Sequence, residues 1–291
     1  MKIGVVFPQT EIGQDPAVIR DYAQAVESLG YTHMLAFDSV VGANPDRPGG
    51  WDSQYDYRHA FHEPFVLFGY LAGVTERLGL VTGVIILPQR QTALVAKQAA
   101  AVDVLSAGRL RLGVGVGWNA VEFEALNENF KNRGKRIEEQ IEVMRVLWKK
   151  ELVTFNGQWH HLPDAGINPL PPQRPIPIWM GGESPIVLER AARMADGWMP
   201  HFRPGAEAQA VVDKLQRAIR DARRDPVTFG IEGRLTVAQV PEAQWATEFT
   251  AWRAMRGITH LSVHTVGVGL KTPTDHVKML ERLAKEAGPL S

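Results

Sequence analysis

Several polar side chains follow short β-rich runs, where they could share one pocket if those runs lie side by side. Asp38 follows the run His33 to Phe37, and His201 and Arg203 follow Gly197 to Met199. Glu232 and Arg234 lie within Phe229 to Leu235, and His264 ends Ile258 to His264. Asp38, His201 and Glu232 are the candidates for moving or holding a proton; Arg234 and His264 are candidates for substrate contact. For each residue alone, a salt bridge or a rim contact accounts equally well for its presence. The chain has no cysteine, so thiolate nucleophiles, disulfides, Cys-ligated zinc and iron–sulfur clusters are excluded. His59-x-x-His62-Glu63 lacks the order of a helical zinc motif and indicates no third ligand, so no metal is expected.

Two glycine clusters add a different kind of signal. Gly113, Gly115 and Gly117 alternate with apolar residues up to Trp118, so they share one strand face. Glycine inside a strand costs stability and marks a close approach, either by a flat ligand on a bare wall or by a neighbouring strand. Their spacing is not G-x-G-x-x-G, because Trp118 holds the third position. Gly181-Gly182-Glu183-Ser184-Pro185 joins a strand to a helix start. It suits an anion such as phosphate at the helix N-terminus, and it equally suits plain capping by Ser184.

The elements that would position these residues alternate along the chain. Strands are expected at Lys2 to Phe7, His33 to Phe37, Leu80 to Leu87, Leu110 to Val116, Ile176 to Met180, Gly197 to Met199, Phe229 to Leu235 and Ile258 to His264. Helices are expected from Asp15-Pro16 to Leu29, Pro64 to Val74, Thr92 to Leu105, Gly134 to Lys149, Pro185 to Ala195, Ala206 to Arg223, Pro241 to Met255 and Thr274 to Lys285. Such β-then-α units close most simply into one α/β domain over residues 1–291, a parallel (β/α)8 TIM barrel. An open doubly wound sheet would carry a glycine fingerprint after strand one, where Phe7-Pro8-Gln9-Thr10 stands instead.

Two connections are too long for ordinary barrel loops. Residues 38–62, after strand two, hold Trp51 and Tyr55 and must lie on the face where barrel active sites form. They are read as a lid over substrate. Residues 151–175, before strand five, start on the opposite face and are read as structural.

Composition narrows the function classes further. The chain has 291 residues, 45% hydrophobic and 22% charged, which is ordinary globular material. Lys+Arg and Asp+Glu both number 32, so the basic surface of a nucleic-acid binder is not expected. No apolar run reaches a membrane span, and the Met1 to Phe7 run is cut by Pro8. A soluble cytoplasmic protein without a membrane partner is expected.

The sequence resembles the bacterial luciferase-like superfamily of flavin- and F420-dependent oxidoreductases, and within it the probable F420-dependent group. The resemblance runs through Thr82 to Arg90, Leu94 to Ala100, Asp103 to Leu110, Gly113 to Trp118, Ile178 to Gly182 and Ala195 to Trp198. It implies a cofactor ring in the barrel mouth, with its phosphate at Gly181, Gly182, Glu183 and Ser184. It also implies a bulged strand three, with a non-proline cis peptide at Gly83–Val84 backing the ring, and Asp38 touching the ring. Gly115, Gly117 and Trp118 would complete the slot, with Trp51, Tyr55, Arg234 and His264 toward substrate.

Departures from the family pattern are informative. Similar sugar-phosphate dehydrogenases have His and Glu where this chain has Ser39 and Trp118, and FMN-using luciferases have an Arg where it has Val116. The latter departure favours F420 over FMN, although Arg90 or another cation could serve the phosphate. The resemblance therefore implies hydride transfer between F420 and a small organic substrate. The alternatives are an FMN monooxygenase served by a separate reductase, a non-catalytic cofactor-binding barrel, and a barrel hydrolase. A homodimer is also implied.

Overall fold

The computed structural model describes all 291 residues. β1 (Lys2–Val6) leads into α1 (Pro16–Ser28), whose Asp15 cap accepts from the Ala17 N–H at 2.8 Å while Pro16 occupies the first helical position. β2 (His33–Ala36) is followed by the long 38–62 connection and α2 (Pro64–Val74). The expected third strand is divided into β3 (Gly79–Thr82) and β4 (Ile85–Ile86), with a cis Gly83–Val84 peptide between them; α3 (Thr92–Leu105) follows. β5 (Leu110–Gly115) precedes a short α4 (Ala120–Ala125), absent from the sequence expectation, and α5 (Arg133–Lys149).

The 151–175 insertion forms an antiparallel hairpin of β6 (Val153–Asn156) and β7 (His161–Ala165). It is tied to the helices around the barrel, and none of its residues lines the cleft at the barrel mouth. Glu139 of α5 accepts the backbone N–H groups of Gln158, Trp159 and His160, each at 2.8 Å, and Thr92 contacts His160 Nε2 at 2.6 Å.

The remaining units are β8 (Ile178–Gly181), α6 (Pro185–Met194), β9 (Gly197–Met199), α7 (Ala206–Asp221), β10 (Gly230–Thr236), α8 (Trp245–Ala254), β11 (His260–His264) and α9 (Pro273–Ala287). Every barrel strand pairs in parallel, in the order β3-β2-β1-β11-β10-β9-β8-β5-β4, and a β3–β5 pairing (Leu80 opposite Leu110) closes the ring. With β3 and β4 sharing one position, this is the (β/α)8 barrel.

The main apolar core fills the layer between strands and helices, where Phe7, Tyr22, Met34, Leu112, Trp148, Trp198 and Trp252 are almost completely buried. Inside the barrel, Val6, Leu35, Val81, Trp179 and Met199 form a second, small cluster. Below it lies a polar plug. Glu232 accepts from Arg111 and Ser262 and contacts His33 Nε2 at 2.8 Å, while Arg111 lies 4.1 Å from the Trp179 ring centre. Burial alone would favour a neutral Glu232; the Arg111 guanidinium and His33 reverse that and hold its carboxyl well below the usual carboxylate range. The plug fixes the barrel interior and leaves the opposite end open for a ligand.

Candidate active site

The C-terminal ends of the strands surround a cleft of about 490 Å³. Phe37, Asp38, Gly83, Val84, Ile86, Gly115, Gly117, Trp118, Gly181, Gly182, Met199, His201 and Arg234 line it, with Tyr55 and Phe61 contributed by the 38–62 connection. β2, β3–β4, β5, β8, β9 and β10 therefore all converge on one space.

The glycine row on β5 makes room for protein rather than for a bare wall. A Cβ on Gly113 would lie 2.0 Å from the Thr82 carbonyl oxygen, one on Gly115 2.6 Å from Val84 Cγ2, and one on Gly117 2.5 Å from Ile86 Cγ2. The missing side chains let β3 and β4 lean against β5, which carries Val84 into the cleft. Gly181 repeats the device from the other side, since its Cβ would stand 3.0 Å from Val84 Cγ1. Val84 is thus held between two glycines, and the backbones of Gly115 and Gly181 face the ligand space beside it.

At the end of β8, Gly182 has φ +112°, a conformation that side chains rarely adopt. Its carbonyl accepts the Trp198 indole N–H at 2.7 Å. Ser184 precedes α6, but its hydroxyl makes no cap hydrogen bond, which leaves the first turn without the plain capping that the sequence also allowed. Glu183 accepts the backbone N–H of His201 at 2.5 Å, tying this turn to the end of β9. Neither Glu183 nor Ser184 lines the cleft.

Asp38 does line it, and both of its oxygens are engaged. Oδ1 accepts from Arg90 at 2.8 Å and Oδ2 from the Ile86 N–H at 3.0 Å. Burial raises its pKa, against the pull of Arg90. Arg90 also donates to Glu63 at 2.8 Å, so its charge is already shared by two carboxylates. The sequence reading that Arg90 could hold a phosphate does not fit this pairing.

The structure adds Glu122, which sequence reasoning missed. It is buried on α4 and accepts the Val40 N–H at 2.5 Å, the Val41 N–H at 3.1 Å and the Gln89 amide at 2.8 Å. Asn119-x-x-Glu122 is a recognisable helix start: the Asn119 side chain accepts from the Glu122 N–H at 3.2 Å. That spacing could have located α4.

Other expected site residues scatter. Glu232 lies in the buried plug and does not reach the cleft. His264 sits behind Phe37 with ring centres 5.7 Å apart, its pKa lowered to about 4 by burial and then by the Arg234 charge. His201 stands at the rim, its pKa lowered by burial and then by Arg234. Trp51 does not touch the cleft but packs on Trp118, with ring centres 5.6 Å apart and planes at 32°. His59 and Glu63 of the rejected metal motif bond to Asp56 and Arg90 respectively.

A model of the luciferase-like monooxygenase family matches residues 1–288. The chain belongs to this family. An uncharacterised Mycobacterium tuberculosis protein is 37% identical over 69% of this chain and 70% of its own length. An F420-dependent glucose-6-phosphate dehydrogenase of Intrasporangium calvum is 30% identical over 98% of this chain and 83% of its own. An FMNH(2)-dependent dimethylsulfone monooxygenase of Pseudomonas putida is 30% identical over 73% of this chain and 56% of its own. Among solved structures, an F420-dependent secondary alcohol dehydrogenase in complex with an F420-acetone adduct superposes with a TM-score of 0.78 over 99% of both chains, at 15% identity. The luciferase-like barrel is therefore present here, and these relatives with named activities are oxidoreductases.

Proposed function

We propose that this luciferase-like protein is an F420-dependent oxidoreductase, exchanging a hydride with a small organic substrate. The observation that carries the reading is the state of the cleft's own carboxylates. Asp38 is committed to Arg90 and the Ile86 N–H, and Glu122 to two backbone N–H groups and Gln89. With no cysteine in the chain and neither acid free, the cleft holds no thiolate or free carboxylate nucleophile, and His201 at its rim is the group left to exchange a proton. When bound, a deazaflavin would supply the hydride chemistry, and the protein its position and electrostatics.

The residues suit such a group. Val84 with the backbones of Gly115 and Gly181 borders a slot that any larger residue at either glycine would disturb. Gly182 and the first turn of α6 offer uncapped backbone to a phosphate. Asp38 acts as a positioning residue, holding the Ile86 end of the bulge. The 38–62 connection, fastened by Glu122 at its root and by Trp51 on Trp118, would serve as the cover of the substrate side.

F420 is preferred to FMN because similar FMN-using luciferases carry an Arg at the position of Val116, and Arg90 is already paired twice. The competing reading, an FMN monooxygenase with a separate reductase, is supported by the Pseudomonas putida relative. Parallel fluorescence titrations with F420 and FMN distinguish them. Selective F420 binding is expected; selective FMN binding would transfer the assignment to the monooxygenase, and binding of neither by folded protein would sink both.

A further inference from the structure

Arg234 is the one charged side chain of the cleft that the chain itself leaves without a partner. It projects from β10 above the buried plug, and its guanidinium carbon lies 5.0 Å from the Phe37 ring centre. No carboxylate comes within ion-pair distance and none of its N–H groups donates a hydrogen bond; its Nε is fully buried and unsatisfied. Glu232, the nearest acid along the strand, is saturated by Arg111, His33 and Ser262. From the lid, Tyr55 also faces the cleft, and its hydroxyl makes no hydrogen bond. The groups facing Arg234 are otherwise His201 and His264, both pushed toward the neutral form, together with the aromatic faces of Phe37 and Phe61.

A partly buried cation without a counter-charge is costly. Here the terminal guanidinium N–H groups of Arg234 and one phenol face the same cleft, beside the rings of Phe37 and Phe61. We infer that Arg234 and Tyr55 form a receptor for the carboxylate of the substrate, so that the substrate class is a small aromatic or alicyclic organic acid. The planar guanidinium matches a planar carboxylate through two parallel N–H donors, and Tyr55 donates a third bond to the same group. Phe37 and Phe61 take the apolar body. Calling the acid a substrate rests on the oxidoreductase reading above; the receptor itself rests on Arg234 and Tyr55 alone.

The test uses benzoate as probe, with benzamide as its neutral isostere, followed by calorimetry with and without saturating F420. Benzoate is expected to bind roughly tenfold or more tighter than benzamide, and R234Q to abolish that preference while R234K retains part of it. Y55F is expected to weaken benzoate by a smaller factor. Melting curves identify any variant that fails to fold, since Arg234 packs over the Phe37 ring. Equal affinity of the native protein for benzoate and benzamide would overturn the inference. So would an R234Q variant that loses F420 or FMN affinity yet binds benzoate normally, because the arginine would then serve the cofactor's phosphate. Failure of both cofactors, with the benzoate preference intact, would remove the redox reading and support the receptor.

Discussion

Arg90 donates to Asp38 at 2.8 Å across the mouth of the barrel, joining the end of β2 to the residues just past β4. The same aspartate receives the Ile86 N–H, so one side chain sets both the spacing of β2 from β4 and the depth of the bulge that carries Val84. D38N keeps the shape but removes the charge. The hydrogen bond from Arg90 is worth about 1.5–3 kcal/mol, and folding stability should fall within that range. Loss of F420 affinity should accompany it. E63Q, which removes the other and more exposed partner of Arg90, should cost less on both counts. Thermal melts and titrations of the pair check the ordering; equal losses would deny Asp38 its positioning role.

Glu122 fastens the root of the lid through the Val40 and Val41 N–H groups. In E122Q one amide oxygen must replace a carboxylate that accepts from both segments, and the amide's own NH2 group confronts donors. A stability loss of about 1–3 kcal/mol is expected. Hydrogen–deuterium exchange should rise at residues 39–41 and remain unchanged in the β6–β7 hairpin. A variant with native exchange at Val40 would show that α4 merely packs beside the lid.

Trp51 and Trp118 form the other fastening, between the lid and the end of β5. Trp118 is largely exposed, so W118A should leave the melting temperature almost unchanged. Aromatic pairs couple by about 0.5–1.5 kcal/mol, and a double-mutant cycle with W51A should recover that on KM, with less effect on kcat. Additive effects of the two substitutions would mean that the stack does not hold the lid.

Gly182 carries the main weight of the phosphate reading. At φ +112° an alanine is strained by about 1–3 kcal/mol, and the backbone would relax away from its present path. G182A should lose cofactor affinity by more than its modest stability cost explains. G69A, on α2 at a half-buried position with nothing within 4 Å of its new Cβ, serves as the control and should retain affinity. Retained F420 binding by G182A would move the phosphate elsewhere in the cleft.

The barrel and its order of elements were legible because β-rich runs and amphipathic helices alternate with turn residues between them. Details depending on tertiary register were not. Glu232 and Arg234 are two residues apart on one strand face, and pattern alone makes them equivalent. Register separates them: Glu232 lies opposite His260, where β11 begins, and Arg234 opposite Ser262, one step nearer the mouth. One is thereby plugged and the other open. The β5 glycines announced a close approach, but only the folded chain reveals that Thr82, Val84 and Ile86 make it. Glu122 escaped because the residues after Trp118 were read as connection, although Asn119-x-x-Glu122 marked a helix start.

Histidines set the pH response. His33, His201, His260, His264 and His276 all have pKa values lowered by burial, His260 to about 3 and His264 to about 4. A histidine whose folded pKa lies below its ordinary 6.5 binds fewer protons folded than unfolded as the pH drops through that interval. Their contribution is therefore intact above about pH 6.5 and lost progressively toward pH 4. Asp38, with its raised pKa, works in the opposite direction as acid is added, and Glu232, with its lowered one, adds to the loss from the ordinary carboxylate range downward. The melting temperature should accordingly be flat between pH 7 and 8 and fall steadily below about 6.5. H264N removes a histidine whose pKa is lowered to about 4 and should make that fall shallower. An unchanged slope in H264N would mean that His264 titrates normally in the folded protein, against both its burial and the neighbouring Arg234 charge.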